Sequence, residues 1–150
     1  MNDSLASPER RQSDGRAAGA SEVVLSISAA AEDHAVLRRI LQSISWEVVE
    51  AECCEAAFRL LGELPVSAVI SSETLPDGDW RGVLMHTQAQ PHPPKLIVTS
   101  RLADERLWAE VLNLGGYDVL LKPFDPEEVR RVVSVTCPRE PGRLEMARAA

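Results

Sequence analysis

The strongest constraint on this chain is a rhythm: between residues 22 and 137, short apolar runs alternate five times with longer amphipathic stretches. VVLSIS (23–28), WEVVEAE (46–52), VSAVIS (66–71), KLIVTS (95–100) and YDVLLK (117–122) are short and apolar, with turn residues between them, and are predicted as strands. EDHAVLRRILQSI (32–44) sets Val36, Leu37, Ile40, Leu41 and Ile44 at helical spacing, and CEAAFRLLGEL (54–64) does the same with Ala57, Phe58, Leu60 and Leu61. WRGVLMHTQ (80–88) is a weaker helix, and LADERLWAEVLNL (102–114) is a helix that stops at Gly115-Gly116. DPEEVRRVVSV (125–135) has a clear helical start: Asp125 as cap, Pro126 in the first turn, then Glu127 and Glu128 at the positive end of the dipole.

Strand–helix–strand units of this length require parallel crossovers, which cover both faces of a sheet. The expected fold is α/β: a doubly wound, five-stranded parallel sheet with five helices, of flavodoxin-like type. Ligand sites in such sheets lie outside the carboxyl ends of the strands, at the topological switch point. The boundaries predicted are a polar leader over 1–21, one folded domain over 22–137, and a tail over 138–150 that is too short for a second domain.

Composition excludes several functions. A net charge of -7 argues against a nucleic-acid binder held by phosphate contacts. No apolar run approaches the roughly 18 residues of a membrane span, and the polar N-terminus has no apolar signal region, so the expected location is cytoplasmic. Cys53, Cys54 and Cys137 form no CxxC pair. Cys53 and Cys54 open a predicted helix and read as packing residues; a redox role would need a low thiol pKa there.

The residues that follow each strand are the ones that matter. Ser28 to His34 follow the first strand, with Glu32 and Asp33 among them. Ser71, Ser72 and Glu73 end the third strand and lead into LPDGD, which reads as turn chemistry. Thr99 and Ser100 end the fourth, and Lys122-Pro123-Phe124 follow the fifth. Hydroxyls, carboxylates and one lysine therefore gather at one rim.

On these residues the chain resembles a response-regulator receiver domain of the CheY-like superfamily. The resemblance rests on the LPDGD loop after the third strand, the VTS end of the fourth, LKPF before a D-P-E-E helix start, and EDHAVLRRIL, which is similar to the family's acidic-pair segment. It implies two-component, phosphorelay signalling: phosphoryl transfer from a histidine kinase to an Asp at the end of the third strand, with Mg²⁺ held by acids after the first. A strand-four hydroxyl and a strand-five lysine would bind the product and repack the face made by the fourth helix, fifth strand and fifth helix. The resemblance assigns Lys122 to the lysine position, Thr99 to the switch hydroxyl and Pro76 to the loop proline.

The chain departs from the pattern where the acceptor belongs. Four residues before Pro76 stands Ser72, which is not ionised near pH 7 and cannot form an acyl phosphate. Glu73 is expected to project to the other side of the strand end. Counting back from the helix, Glu32 and Asp33 fill the acidic pair; counting forward from the strand, Ser28 and Ala29 do, with about one extra helical turn following. On the second count Glu32 and Asp33 sit farther from Ser72 than in an active receiver. Val119 holds the place of the usual switch aromatic.

The reading that follows is a stand-alone pseudo-receiver that is not an enzyme. It requires no cofactor, binds Mg²⁺ weakly at most, and acts by contact with a histidine kinase or downstream signalling protein. Trp108 and Val119 mark the expected partner face, which is also the route to a homodimer. Two other readings are a flavodoxin-like ligand binder or enzyme, for which no G-x-G-x-x-G is present, and a Ser72–Lys122 nucleophile, for which no G-x-S-x-G is present.

Overall fold

A computed structural model describes residues 22–136. The predicted leader and tail, and Cys137, lie outside the described residues. In chain order the elements are β1 (Glu22–Ile27), α1 (Ala31–Gln42), β2 (Trp46–Ala51), α2 (Cys54–Glu63), β3 (Ala68–Ser72), β4 (Thr74–Leu75), β5 (Gly78–Asp79), α3 (Trp80–Gln88), β6 (Lys95–Ser100), α4 (Glu105–Leu114), β7 (Asp118–Leu121) and α5 (Pro126–Thr136). The main sheet has the order β2-β1-β3-β6-β7 and all its pairings are parallel. The doubly wound α/β sheet with five helices is thus as expected. The order reverses between β1 and β3, which sets the switch-point crevice at their carboxyl ends.

Successive strand residues point to opposite faces, and the core divides accordingly. Leu25, Val69, Leu96, Val98 and Val119 pack with α2, α3 and α4 through Ala57, Trp80, Val83 and Val111. Val24, Ile70, Ile97 and Leu120 pack with α1 and α5 through Leu37, Leu41, Val129, Val132 and Val133. Burial on both faces explains why these strands read as continuous apolar runs rather than alternating ones.

The LPDGD segment is more than a turn. It forms a two-stranded antiparallel ribbon, β4 with β5. At its tip Asp77 accepts hydrogen bonds from the backbone N–H groups of Cys54 (2.7 Å) and Glu55 (3.0 Å), capping α2 from 22 and 23 residues away. Asp79 caps α3 in the local manner, accepting from Arg81 N. The buried Cys54 thiol is pushed up to about 11, first by desolvation and then by Asp77, which opposes a reactive-thiolate role.

α4 starts at Glu105, later than its sequence pattern suggested, because Asp104 accepts from Leu107 N and caps it there. It ends at Gly115, whose φ is 112°. A β-carbon at Gly116 would strike Val111, so the helix stop and the entry to β7 both require glycine. Gly115→Ala is expected to lower stability by about 1–2 kcal/mol, because alanine must be forced to positive φ. Urea unfolding followed by circular dichroism measures it.

Candidate functional site

The same alternation that divides the core gathers the site. Ser26 and Ser28 share the facing of Val24, Ser72 that of Ile70, Thr99 that of Ile97, and Lys122 that of Leu120, so all five belong to the α1/α5 side of the rim. Ser72 lies opposite Thr99 in the β3–β6 register. Ser28, Asp33, Ser72 and Thr99 are each less than a tenth exposed.

Lys122 is the centre of the arrangement. Its Nζ donates to Asp33 Oδ2 at 2.7 Å and to Ser72 Oγ at 3.0 Å. Ser28 Oγ donates to the same Asp33 oxygen at 2.7 Å and accepts from Ala30 N at 3.1 Å. The lysine and aspartate side chains are only 13% and 11% exposed, so little water screens the pair. Burial works to raise the Asp33 carboxyl, but hydrogen bonds from Lys122 and Ser28, with the ammonium charge, outweigh it and hold the group below its ordinary value.

Both ways of counting the acidic segment therefore contribute. Ser28 comes to the crevice from the strand end and Asp33 from the first turn of α1, which starts early enough to carry it there. Asp33 meets the Ser72 pocket through Lys122, whose ammonium bridges the two side chains. Glu32 is exposed on the same turn, while Asp33 is buried. Thr99 is buried, and its Oγ1 reaches the Ser71 carbonyl at a long 3.4 Å. Glu73 does turn away, as its place in the strand implied: its Oε1 accepts from Ser100 Oγ at 2.7 Å.

Sequence reasoning named Ser28 only as one filler of the acidic-pair position, not as a donor to Asp33, and missed the roles of Ser26 and His34. His34 is buried, with Nδ1 2.8 Å from Ser26 Oγ and Nε2 3.0 Å from the Ser28 carbonyl oxygen. The signal was present in part, since His34 follows Glu32 and Asp33 in a segment already singled out.

The donor set does not suit a divalent cation. Mg²⁺ favours an octahedron of oxygens, commonly including one or two carboxylates. Here Asp33 already holds an ammonium and a hydroxyl on one oxygen, and Ser72 is uncharged. Among the described residues no group of three or more His, Cys, Asp or Glu side chains is gathered as a metal would need.

The expected partner face is partly redrawn. Trp108 is half exposed, whereas Val119 is 8% exposed and belongs to the core, because its strand position faces α4. Leu121, two residues on, is the exposed apolar residue of β7. Trp108, Val119 and Leu121 line a groove of about 250 Å³ whose rim carries Asp104, Glu105 and Glu128.

The fold and its rim define a CheY-like receiver. A family model described as the response regulator receiver domain matches residues 29–134. The chain belongs to that family. Among curated proteins it is 29% identical over 120 residues to the two-component response regulator ORR5 of Oryza sativa subsp. japonica, covering 77% of this chain and 89% of the relative. It is also 29% identical over 109 residues to the probable transcriptional regulator ycf27 of Porphyridium aerugineum, covering 69% of this chain and 45% of that one.

Two solved structures show the same fold. A putative response regulator from Chloroflexus aurantiacus superposes with a TM-score of 0.74 at 21% identity, over 79% of this chain and 99% of that one. The chemotaxis response regulator CheY4 of Vibrio cholerae gives 0.68 at 19%, over 75% and 98%. The chain is thus a receiver domain of the two-component response-regulator type, a class of signalling domain that meets histidine kinases and other proteins. Among the described residues no helix is long and apolar enough to cross a membrane.

Two measurements test the charge pair. Lys122→Met or Asp33→Asn alone is expected to cost about 3 kcal/mol by stranding a poorly solvated charge, while the double variant recovers most of it. Because the folded carboxyl lies below its ordinary 3.8, the stability it contributes is fully present above that value and is lost as pH falls through the lowered one. Asp33→Asn should therefore flatten the acid limb of a stability-against-pH curve as pH falls below the ordinary carboxyl value of 3.8.

Proposed function

We propose that this receiver is a pseudo-receiver: its pocket is held in one state by its own lysine, and it signals through protein contact rather than through an acyl phosphate. One observation carries the reading: Lys122 Nζ is bonded to Ser72 Oγ and Asp33 Oδ2, where phosphoryl capture would require a free carboxylate. Ser72 stands at the acceptor-equivalent position. A serine hydroxyl forms a phosphate ester, whose hydrolysis lacks the driving force of an acyl phosphate. Thr99 and Lys122 keep the switch hydroxyl and lysine positions, with Lys122 occupied by Asp33. No cofactor is required, and Mg²⁺ binds weakly at most, with Glu32 and Asp33 as the remnant of the acidic pair.

The working surface in this reading is the face of α4, β7 and α5. Trp108 and Leu121 supply an apolar anchor site with an acidic rim, which favours a partner segment carrying an apolar side chain beside basic ones. The partner is a histidine kinase or a downstream signalling protein in the cytoplasm, and a second copy of the chain is the other occupant of the same face.

A Ser72–Lys122 nucleophile has half of what it needs, since the two side chains are 3.0 Å apart. However, Lys122 is ion-paired with the Asp33 carboxylate, and as an ammonium it has no lone pair with which to take the serine proton. The protein is therefore read as a binding module and not as an enzyme.

Incubation with a small phosphodonor and Mg²⁺, followed by mass spectrometry, decides the matter. No acid-stable or hydroxylamine-sensitive label is expected on the native chain. A stoichiometric, hydroxylamine-sensitive label on a carboxylate would overturn the pseudo-receiver reading in favour of an active phosphorelay member. Ser72→Asp, which places a second carboxylate beside Asp33, is expected to gain Mg²⁺ binding measurable by calorimetry.

A further inference from the structure

The proposed locked pocket depends on Asp33 reaching Lys122, and the structure shows what delivers it. α1 begins without a side-chain cap: its N-cap residue is Ala30, which offers only a backbone carbonyl, bonded to Asp33 N at 3.0 Å. A helix start of this kind is prone to fray. Here the first turn is instead fastened from the side. His34 is 4% exposed and its ring lies against β1, between Ser26 Oγ at 2.8 Å and the Ser28 carbonyl oxygen at 3.0 Å. A carbonyl oxygen only accepts, so Nε2 carries a proton. In the neutral ring Nδ1 then accepts from the buried Ser26 hydroxyl, and both ring nitrogens are satisfied without water. Ser28 is held by its backbone through His34 and gives its hydroxyl to Asp33.

We infer that His34 is the positioning residue of the lock: by pinning the first turn of α1 to Ser26 of β1 and to Ser28 just beyond that strand, it holds the adjacent Asp33 carboxylate against Lys122. The two ring nitrogens of His34 bond to Ser26 and Ser28 and not to Lys122 or Ser72, so the residue acts through Asp33 and Ser28. The inference rests on the locked-pocket reading above, and its failure is separable from the failure of that reading.

The sequence provides a clean probe, because the whole chain contains two lysines, Lys95 and Lys122. Lys95 is exposed and serves as an internal reference. The ratio of Lys122 to Lys95 acylation by an amine-reactive ester, read by peptide mass spectrometry on the native full chain at one pH, reports how firmly Lys122 is held. Asp33→Asn should raise the ratio about tenfold, on the scale of a single charge-assisted hydrogen bond. His34→Leu, which keeps most of the volume but loses both bonds, should raise it comparably. His34→Gln, whose amide can again donate to the Ser28 carbonyl, should return it to within about twofold of the native value.

If Asp33→Asn raises the ratio and His34→Leu does not, the positioning role is wrong and the lock stands. If Asp33→Asn leaves the ratio unchanged, the lock itself is wrong. Equal increases in His34→Leu and His34→Gln would reduce His34 to a packing residue and overturn the inference. Should His34→Leu fail to fold, His34→Phe, which keeps a flat ring and loses both bonds, carries the same test: a raised ratio supports the positioning role and an unchanged one overturns it.

Discussion

A primary ammonium placed at a nearly dry strand end has to be neutralised, and in this protein much of the site's arrangement follows from how that is done. Lys122 leaves the end of β7 with 13% of its side chain exposed, and the Asp33 carboxylate meets it at 2.7 Å. Neither charge is tolerable there without the other. Hydroxyls add to the pairing, Ser28 on the carboxylate and Ser72 on the ammonium. The crevice that receiver domains use for phosphoryl chemistry is here internally compensated, with equal and opposite charge already in contact.

This compensation requires cooperation between elements far apart in the chain. Asp33 and Lys122 are separated by 89 residues, and Ser72 and Lys122 by 50. Parallel strands feeding one rim make such meetings routine, because each strand delivers its last inward-facing side chain to the same edge. The opposite facing has its own separate pairing, Glu73 with Ser100, so an acid immediately next to Ser72 in sequence takes no part in the site. Asp77, in the loop after β3, is likewise committed to holding the fold. The hydrogen bonds it accepts from Cys54 and Glu55 N–H keep its carboxyl below the usual range and tie the loop to α2.

The fold was largely legible because its signals are local and repeated. The Gly115-Gly116 stop, the Asp125-Pro126-Glu-Glu helix start and the apolar strand runs each reflect a backbone requirement that neighbouring residues satisfy by themselves. The hydroxyl and lysine positions were legible for the same reason, since the last residues of a strand are fixed by its register. The acidic segment was not. Two alignments of residues 28–33 competed, and choosing between them demanded knowledge of how α1 rotates on the sheet. The role of His34 was hidden for the same reason, and Val119 was placed on the surface although its strand position faces the core.

By itself, then, the sequence determined the order of strands and helices, the rim at which polar groups collect, and a serine, Ser72, at the end of the third strand. These are consequences of periodicity and position along one chain. Only the tertiary structure decided that Asp33 and not Glu32 turns inward, that Ser28 joins it, and that Lys122 is already engaged. Those outcomes depend on the angular setting of a helix against a sheet and on the cost of burying charge, and both are settled when separated segments pack together.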